Sequence, residues 1–188
     1  MRNVDLETDF ELARAVSAAR EGYPEAWERL FRRYQLPLFA YAMDLLRDEQ
    51  ASLDVVQETF ARAARHLDGL RADARFGSWL FGIAHQRVVQ CWRCRGGSPG
   101  AEEVAEAAEP LDEQEPWTEL VRQEDRALVL AAIDTLPLAQ RSVVLLHFLE
   151  DFSLAEIAEV LETSVGTIKS RLHYARRALR HHLASAFR

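Results

Sequence analysis

Between Gly96 and Pro116 the chain loses the apolar periodicity that runs through the rest of it. Gly96-Gly97-Ser98-Pro99-Gly100 leads into Glu102, Glu103, Glu106, Glu109, Asp112, Glu113 and Glu115, with prolines at 110 and 116. A helix or a strand needs a face to bury, and a stretch this acidic has none, so it reads as a flexible, solvated linker. No other feature constrains the fold as much. It divides the 188 residues into two segments, 1–95 and 117–188, each large enough for one small domain with its own core. Fully extended, the linker spans roughly 70 Å, about two turns of duplex DNA at ~34–36 Å per turn.

Both segments read as helices. In the first, apolar residues recur at three and four, while β-type alternation and hairpin turns are missing. Leu12, Val16 and Ala19 mark one helix, stopped by Gly22, and Pro24 sits where the first turn of the next would begin. That second helix carries Trp27, Leu30, Phe31, Tyr34, Leu38 and Tyr41, with Pro37 expected to bend or interrupt it. A third, from about Ser52 to Leu67, turns Val55, Val56, Phe60 and Ala63 inward and leaves Asp54, Gln57, Glu58 and Arg62 facing out. A fourth, from about Phe76 to Arg95, packs Phe76, Leu80, Ile83 and Ala84. In the second segment, beginning near Trp117, residues Leu120, Leu128, Ala131 and Ile133 suggest one helix. Leu136-Pro137 starts another through Val143, Val144 and Leu146, and two short helices follow. The expected fold is all-α, two small helical domains on a flexible acidic linker.

The formal charge of −7 argues against nucleic acid only as an average. Residues 96–125 hold ten acids and one arginine, whereas residues 51–95 hold seven arginines against four acids. From Thr163 to Arg188 there are six basic residues and no acid. A basic end of this kind suits phosphate contacts.

The last two helices carry the sharpest signal. Ser153-Leu154-Ala155-Glu156 fits a capping box, with Leu154, Ile157, Ala158 and Leu161 as the apolar stripe behind it. Glu162-Thr163-Ser164 is a short break without glycine, so Glu162 or Thr163 is expected in a left-handed conformation, and Ser164 can cap the next helix. There Val165, Ile168, Leu172, Ala175 and Leu179 form the buried face. The opposite face holds Gly166, Ser170, Tyr174 and Arg177, with Thr167 close by and Lys169 and Arg171 on its flanks. A helix lying in the major groove needs little bulk at its N-terminal end, donors for base edges and cations toward the phosphates. This one supplies all three. The plainer alternative is a basic amphipathic helix on a solvated face, which would not require the capped partner helix and the tight turn.

These residues also resemble a known family. Leu136-Pro137, Arg141, the Ser153–Ala158 run and Ser164-Val165-Gly166-Thr167-Ile168-Lys169-Ser170-Arg171-Leu172 look like region 4 of extracytoplasmic-function sigma factors of the sigma-70 family. Asp54-Val55-Val56-Gln57-Glu58-Thr59-Phe60 resembles the region 2 helix that binds the clamp of bacterial RNA polymerase, and Phe76–Ala84 resembles the adjoining promoter-melting segment. The resemblance implies a transcription initiation factor with core RNA polymerase and promoter DNA, duplex and single-stranded, as partners, and an anti-sigma factor as a further one. It implies that Asp54, Gln57 and Glu58 meet the polymerase, and that Thr167, Lys169, Ser170, Arg171, Tyr174 and Arg177 read the minus-35 element as duplex. Region 2 would hold the minus-10 element as single strand, which calls for flat side chains and cations. Phe76, Trp79, Phe81 and Trp92 supply the first, Arg75, Arg87, Arg93 and Arg95 the second, with Gln86 beside them. The chain departs from the family pattern at His85-Gln86, usually Arg-Asn, at Gln90, usually an acid, and in the sparse basic run Arg93-Cys94-Arg95; these departures bear on the minus-10 preference. A helix-turn-helix regulator acting on duplex DNA alone is the alternative.

Other classes find little support. The only lysine, Lys169, follows Ile168, which excludes a P-loop, and no nucleophile–base set or carboxylate pair stands out, so no catalytic residue is expected. Cys91-Trp92-Arg93-Cys94 has the spacing of redox or zinc thiols but lacks a second pair, and neither metal nor cofactor is expected. No apolar run approaches the ~18 residues of a membrane span, and the charged start lacks the apolar stretch of a secretory signal. A cytoplasmic location without membrane insertion is the expectation.

Overall fold

A computed structural model describes residues 6–96 and 126–186 of the chain. The expected linker beyond Gly96, and the helix start expected near Trp117 with Leu120, lie outside the described residues. The chain divides into two compact units, one formed by the N-terminal helices and one by the C-terminal helices. All regular structure among the described residues is helical.

The first unit contains α1 (Leu6–Arg20), α2 (Pro24–Leu46), α3 (Glu49–His66) and α4 (Phe76–Cys94), with single 3-10 turns at Leu67–Gly69 and Asp73–Arg75. α1 ends as the glycine requires: Gly22 takes φ +89°, its amide donates to the Ala19 carbonyl at 3.2 Å, and the Tyr23 amide donates to Ala18 at 3.1 Å. Pro24 then opens α2 at the position where a missing N–H costs nothing.

Of the two outcomes expected of Pro37, bending or interruption, the second does not occur: α2 continues for nine further residues to Leu46. An interior proline costs about 3 kcal/mol. Leu30 and Tyr34 before it, and Leu38, Tyr41 and Leu45 after it, are all buried, and packing on both sides offsets that loss. α2 lies against α1, α3 and α4, and α3 lies against α4. Their shared core is Val16, Leu30, Leu38, Tyr41, Val55, Phe76, Leu80, Phe81, Ala84 and Val88, each 2% exposed or less.

One acid ties three helix ends together. The Asp48 carboxylate caps α3 by accepting from the Ala51 amide at 2.8 Å, and its other oxygen pairs with Arg95 Nη2, also at 2.8 Å. Arg95 Nη1 donates to the last carbonyl of α2, that of Leu46, at 3.3 Å. The end of α4 is therefore fastened to the α2–α3 corner.

The second unit contains α5 (Arg126–Asp134), α6 (Leu138–Phe148), α7 (Leu154–Val160) and α8 (Val165–Ala186). α5 and α6 both pack on α8. Leu136, Val143, Val144, Leu145, Leu146, Ile157, Ile168, Leu172, Ala175 and Leu179 are buried. The face of α5 differs by one position from expectation. Ala132 is buried and Ala131 exposed, because the helix turns Val129, Ala132 and Ile133 toward the core. Arg141 reaches back from α6 to donate to the carbonyls of Asp134 and Leu136, satisfying acceptors that the end of α5 leaves open.

Asp48 makes a pH dependence. The Ala51 amide, and after it the Arg95 guanidinium, hold its carboxyl below the ordinary carboxylate value. A depressed folded-state pKa adds stability above the unfolded value that disappears as pH falls through the folded one. Asp48→Asn keeps the cap acceptor and removes the charge. In chemical denaturation from pH 7 to pH 2, the variant is expected to be the less stable at neutral pH, with the difference closing on the acid side.

Candidate nucleic-acid and polymerase interface

The C-terminal pair of helices is built from its caps. The Ser153 amide donates to Glu156 Oε2 at 2.9 Å and the Glu156 amide donates to Ser153 Oγ at 3.3 Å, the reciprocal exchange of a capping box. After α7 the chain turns through Glu162 at φ +51°, the left-handed residue that the missing glycine demands. Ser164 Oγ then accepts from the Thr167 amide at 3.0 Å and starts α8.

α8 buries Ile168, Leu172, Ala175 and Leu179. Val165, expected on that stripe, is 40% exposed because it belongs to the first turn and precedes the point where α8 meets the core. On the other side Gly166 and Arg177 are exposed, and Thr167, Lys169, Ser170, Arg171 and Tyr174 are half-buried. None of the six residues expected at the minus-35 element is buried. Two details were not legible beforehand. The Thr167 hydroxyl lies 2.9 Å from Ser164 Oγ, so its hydrogen-bonding capacity is shared with the cap. The His173 ring meets Tyr174 edge-on at 5.5 Å, which restricts the tyrosine.

Arg176, not among the expected residues, lies on the flank of α8 beside Lys169. Burial, and then the neighbouring charge of Arg180, lower its pKa, and its Nε is buried without a hydrogen-bond acceptor. Two cations one turn apart, one of them partly desolvated, are stabilised by any anion that comes to rest beside them. The two arginines share the flank occupied by Lys169 and His173.

In the first unit the expected residues separate into core and surface. Phe76 and Phe81 are wholly buried, Phe76 against Tyr34 and Trp79 at 5.5 and 5.9 Å between ring centroids, and Phe81 edge-on to Tyr41 at 5.5 Å. Neither can offer a ring face to a base. The sequence reading of these two is corrected: they are core residues, placed inward by the same spacing that buries Leu80 and Ala84. Trp79 and Trp92 are half-buried, while Arg75, Gln86 and Arg93 are exposed. Trp79, Gln86, Gln90 and Arg93 follow one another at seven, four and three positions and so line one face of α4. Trp92 points about 140° away from Trp79 by the same count. Arg95, assigned to DNA backbone by the sequence reading, is engaged instead with Asp48 and Leu46.

On α3, Asp54 and Gln57 are exposed and Glu58 is half-buried. Glu58 Oε2 lies 2.6 Å from Arg87 Nε, an ion pair by distance whose N–H is not aligned as a hydrogen bond. Arg87 Nη1 also donates to Gln90 at 2.9 Å. A residue expected at the polymerase and one expected at the minus-10 strand are thus partners in the isolated chain. His85, at a departure from the family pattern, accepts or donates through Nδ1 with the Tyr41 hydroxyl at 2.8 Å. No group of three or more His, Cys, Asp or Glu side chains able to hold a metal occurs among the described residues, and no described helix is long and apolar enough to cross a membrane.

Comparison with known proteins places this geometry. Residues 30–97 match the sigma-70 region 2 family model and residues 126–179 match the sigma-70 region 4 model. The RNA polymerase sigma-H factor of Pseudomonas aeruginosa is 32% identical over 172 residues, 87% of this chain and 89% of that protein. The chain belongs to the extracytoplasmic-function sigma factors of the sigma-70 family. The ECF sigma-E factor of Escherichia coli is 30% identical over 87% of this chain and 90% of its own. Among solved structures, CnrH in complex with the cytosolic domain of CnrY superposes with a TM-score of 0.68 at 26% identity, over 93% of this chain and 97% of that one. The sigma factor RpoE of Bartonella quintana, solved with the anti-sigma factor NepR, gives 0.60 at 25% identity over 84% of this chain and 98% of that one. This sigma factor is a transcription initiation factor, of a family that binds core RNA polymerase and promoter DNA and whose members are not enzymes.

The separation of core from surface aromatics is measurable. Phe76→Ala is expected to cost about 3–5 kcal/mol in urea unfolding, as for a buried aromatic. Trp79→Ala, already partly in water, is expected to cost less than half as much.

Proposed function

We infer that this sigma factor divides promoter recognition between its two units. The single observation that supports the division best is the α7–turn–α8 arrangement, in which caps at Ser153 and Ser164 orient a polar, basic face of α8 while the opposite stripe is buried. Residues 117–188 form the minus-35 reader, with Thr167, Lys169, Ser170, Arg171, Tyr174 and Arg177 at the duplex. Residues 1–95 form the unit that binds polymerase and the minus-10 strand, and 96–116 is the acidic linker between them.

In the first unit the contact set is smaller than the sequence reading. Trp79 and Trp92 supply stacking surface, and Arg75, Gln86, Arg87 and Arg93 supply charge and hydrogen bonds to a single strand. Phe76 and Phe81 act from beneath by supporting Trp79 and α4. Asp54, Gln57 and Glu58 present one face of α3 to core polymerase. The polymerase performs the chemistry, in the cytoplasm. An anti-sigma factor is the further partner, as RpoE of Bartonella quintana has in its complex with NepR.

Two experiments test the assignment. Purified protein is expected to co-elute with bacterial core RNA polymerase on a sizing column, and combined Asp54→Ala, Gln57→Ala and Glu58→Ala changes are expected to abolish co-elution. Folded protein, free of inhibitor, that fails to bind core would instead favour a regulator acting on duplex DNA alone. In the second, Lys169→Ala and Arg171→Ala are expected to weaken minus-35 binding while co-elution persists. A lost phosphate contact lowers affinity across sequences and flattens the salt dependence, whereas a lost base contact costs ~1–3 kcal/mol at one promoter position.

A further inference from the structure

Cys91 and Cys94 are the only cysteines of the chain, and neither is among the residues assigned above to promoter or polymerase recognition. They lie one turn apart at the end of α4, both as free thiols, Cys91 half-buried and Cys94 exposed. Two thiols alone fall short of a zinc site. What a pair at this spacing can reach is itself. Residues three apart on an α-helix have Cα atoms about 5 Å apart, within the ~4.4–6.8 Å that a disulfide spans. Their Cβ atoms, however, are about 5–6 Å apart, against the ~3.5–4.5 Å that the bond requires. Closure must pull the turn out of helical geometry, and a bridge formed under that strain is readily reduced again.

The last turn of α4 is where such a distortion costs least. The Arg95 amide is divided between the Cys91 and Trp92 carbonyls at 3.2 Å each, the Gly96 amide donates to Arg93 at 3.1 Å, and Gly96 sits at φ +86°. The helical ladder has begun to give way to the tighter three-residue pattern. Beyond the cysteines the backbone is anchored, since Arg95 holds Asp48 and the Leu46 carbonyl. The movement therefore falls on the two residues between the thiols, Trp92 and Arg93.

We propose that Cys91 and Cys94 form a reversible dithiol–disulfide switch, whose oxidation displaces Trp92 and Arg93 and weakens the hold of the first unit on single-stranded DNA. The oxidant is a hydroperoxide. The Cys94 thiolate attacks one peroxide oxygen, the O–O bond breaks, and the other oxygen leaves as an alkoxide or hydroxide that takes up a proton, giving a sulfenic acid. The Cys91 thiolate then attacks the Cys94 sulfur, the S–S bond forms, the S–O bond breaks, and hydroxide leaves and is protonated to water. Two thiols lose two electrons and two protons, and the hydroperoxide is reduced to an alcohol, or to water, plus a second water. A dithiol reductant restores the pair by exchange. The consequence for DNA rests on the reading of α4 given above; the disulfide chemistry does not.

The test oxidises the free full-length protein with hydrogen peroxide, removes the peroxide with catalase, adds core polymerase and titrates a fluorescent single-stranded oligonucleotide of mixed sequence. Mass spectrometry is expected to find an intramolecular loss of about 2 Da, reversed by dithiothreitol and absent in Cys91→Ser and Cys94→Ser. Affinity is expected to fall at least about threefold on oxidation, as for a lost backbone contact, to recover on reduction, and to be insensitive to peroxide in both serine variants. Absence of the mass change, or its presence with unchanged affinity, overturns the switch. If instead Trp92→Ala with Arg93→Ala leaves the reduced protein's affinity unaltered, the single-strand reading fails, an outcome that mass spectrometry separates from failure of the disulfide.

Discussion

Burial of Ile168, Leu172, Ala175 and Leu179 sets the rotation of α8 about its own axis. Once that stripe faces the core, the positions about 180° away are determined by helical geometry, and Gly166, Ser170 and Arg177 have nowhere to go but outward. The hydrophobic effect does not choose which polar residues α8 carries, but it chooses the face on which they appear. The same constraint operates on α4, where inward placement of Phe76, Leu80, Phe81, Ala84 and Val88 leaves Trp79, Gln86, Gln90 and Arg93 on the solvent side. A recognition surface on a short helix is in this sense the complement of its core.

Rotation alone does not locate a helix end, and polar contacts complete that task. Ser153 and Ser164 satisfy first-turn amides that would otherwise lack partners, so the break between α7 and α8 falls at a defined residue, with Glu162 accepting the left-handed turn. Asp48 does the same for α3 and also takes the Arg95 guanidinium, so that the end of α4, which bears Trp92 and Arg93, is positioned by a carboxylate more than forty residues earlier in the chain. The local cap and the long-range ion pair share one side chain.

Packing of α3 against α4 has a functional corollary. Glu58 and Arg87, proposed above for the polymerase and the minus-10 strand respectively, meet at 2.6 Å. On that proposal, binding at one surface acts on a charge belonging to the other. Partly exposed pairs of this kind are worth at most about 1 kcal/mol, small enough for a protein or a phosphate to outcompete either partner.

The sequence by itself determined the helical class, the two-part division, the caps at Ser153 and Ser164, the left-handed break and the outward face of α8, because each depends on residues within a few positions of one another. It misjudged what depends on distant partners. Pro37 carries the same local penalty in any helix, and only packing of α2 on three neighbours decided that the helix continues through it. Phe76, Trp79 and Phe81 look alike as aromatics in a basic segment; the side of α4 that meets α2 and α3 decided which of them are core. Arg95 reads as a cation awaiting phosphate, and tertiary contact gave it Asp48 and the Leu46 carbonyl. Periodicity and capping are written along the chain. Which charge finds which partner depends on where separate helices bring their side chains, and the tertiary structure alone decides that.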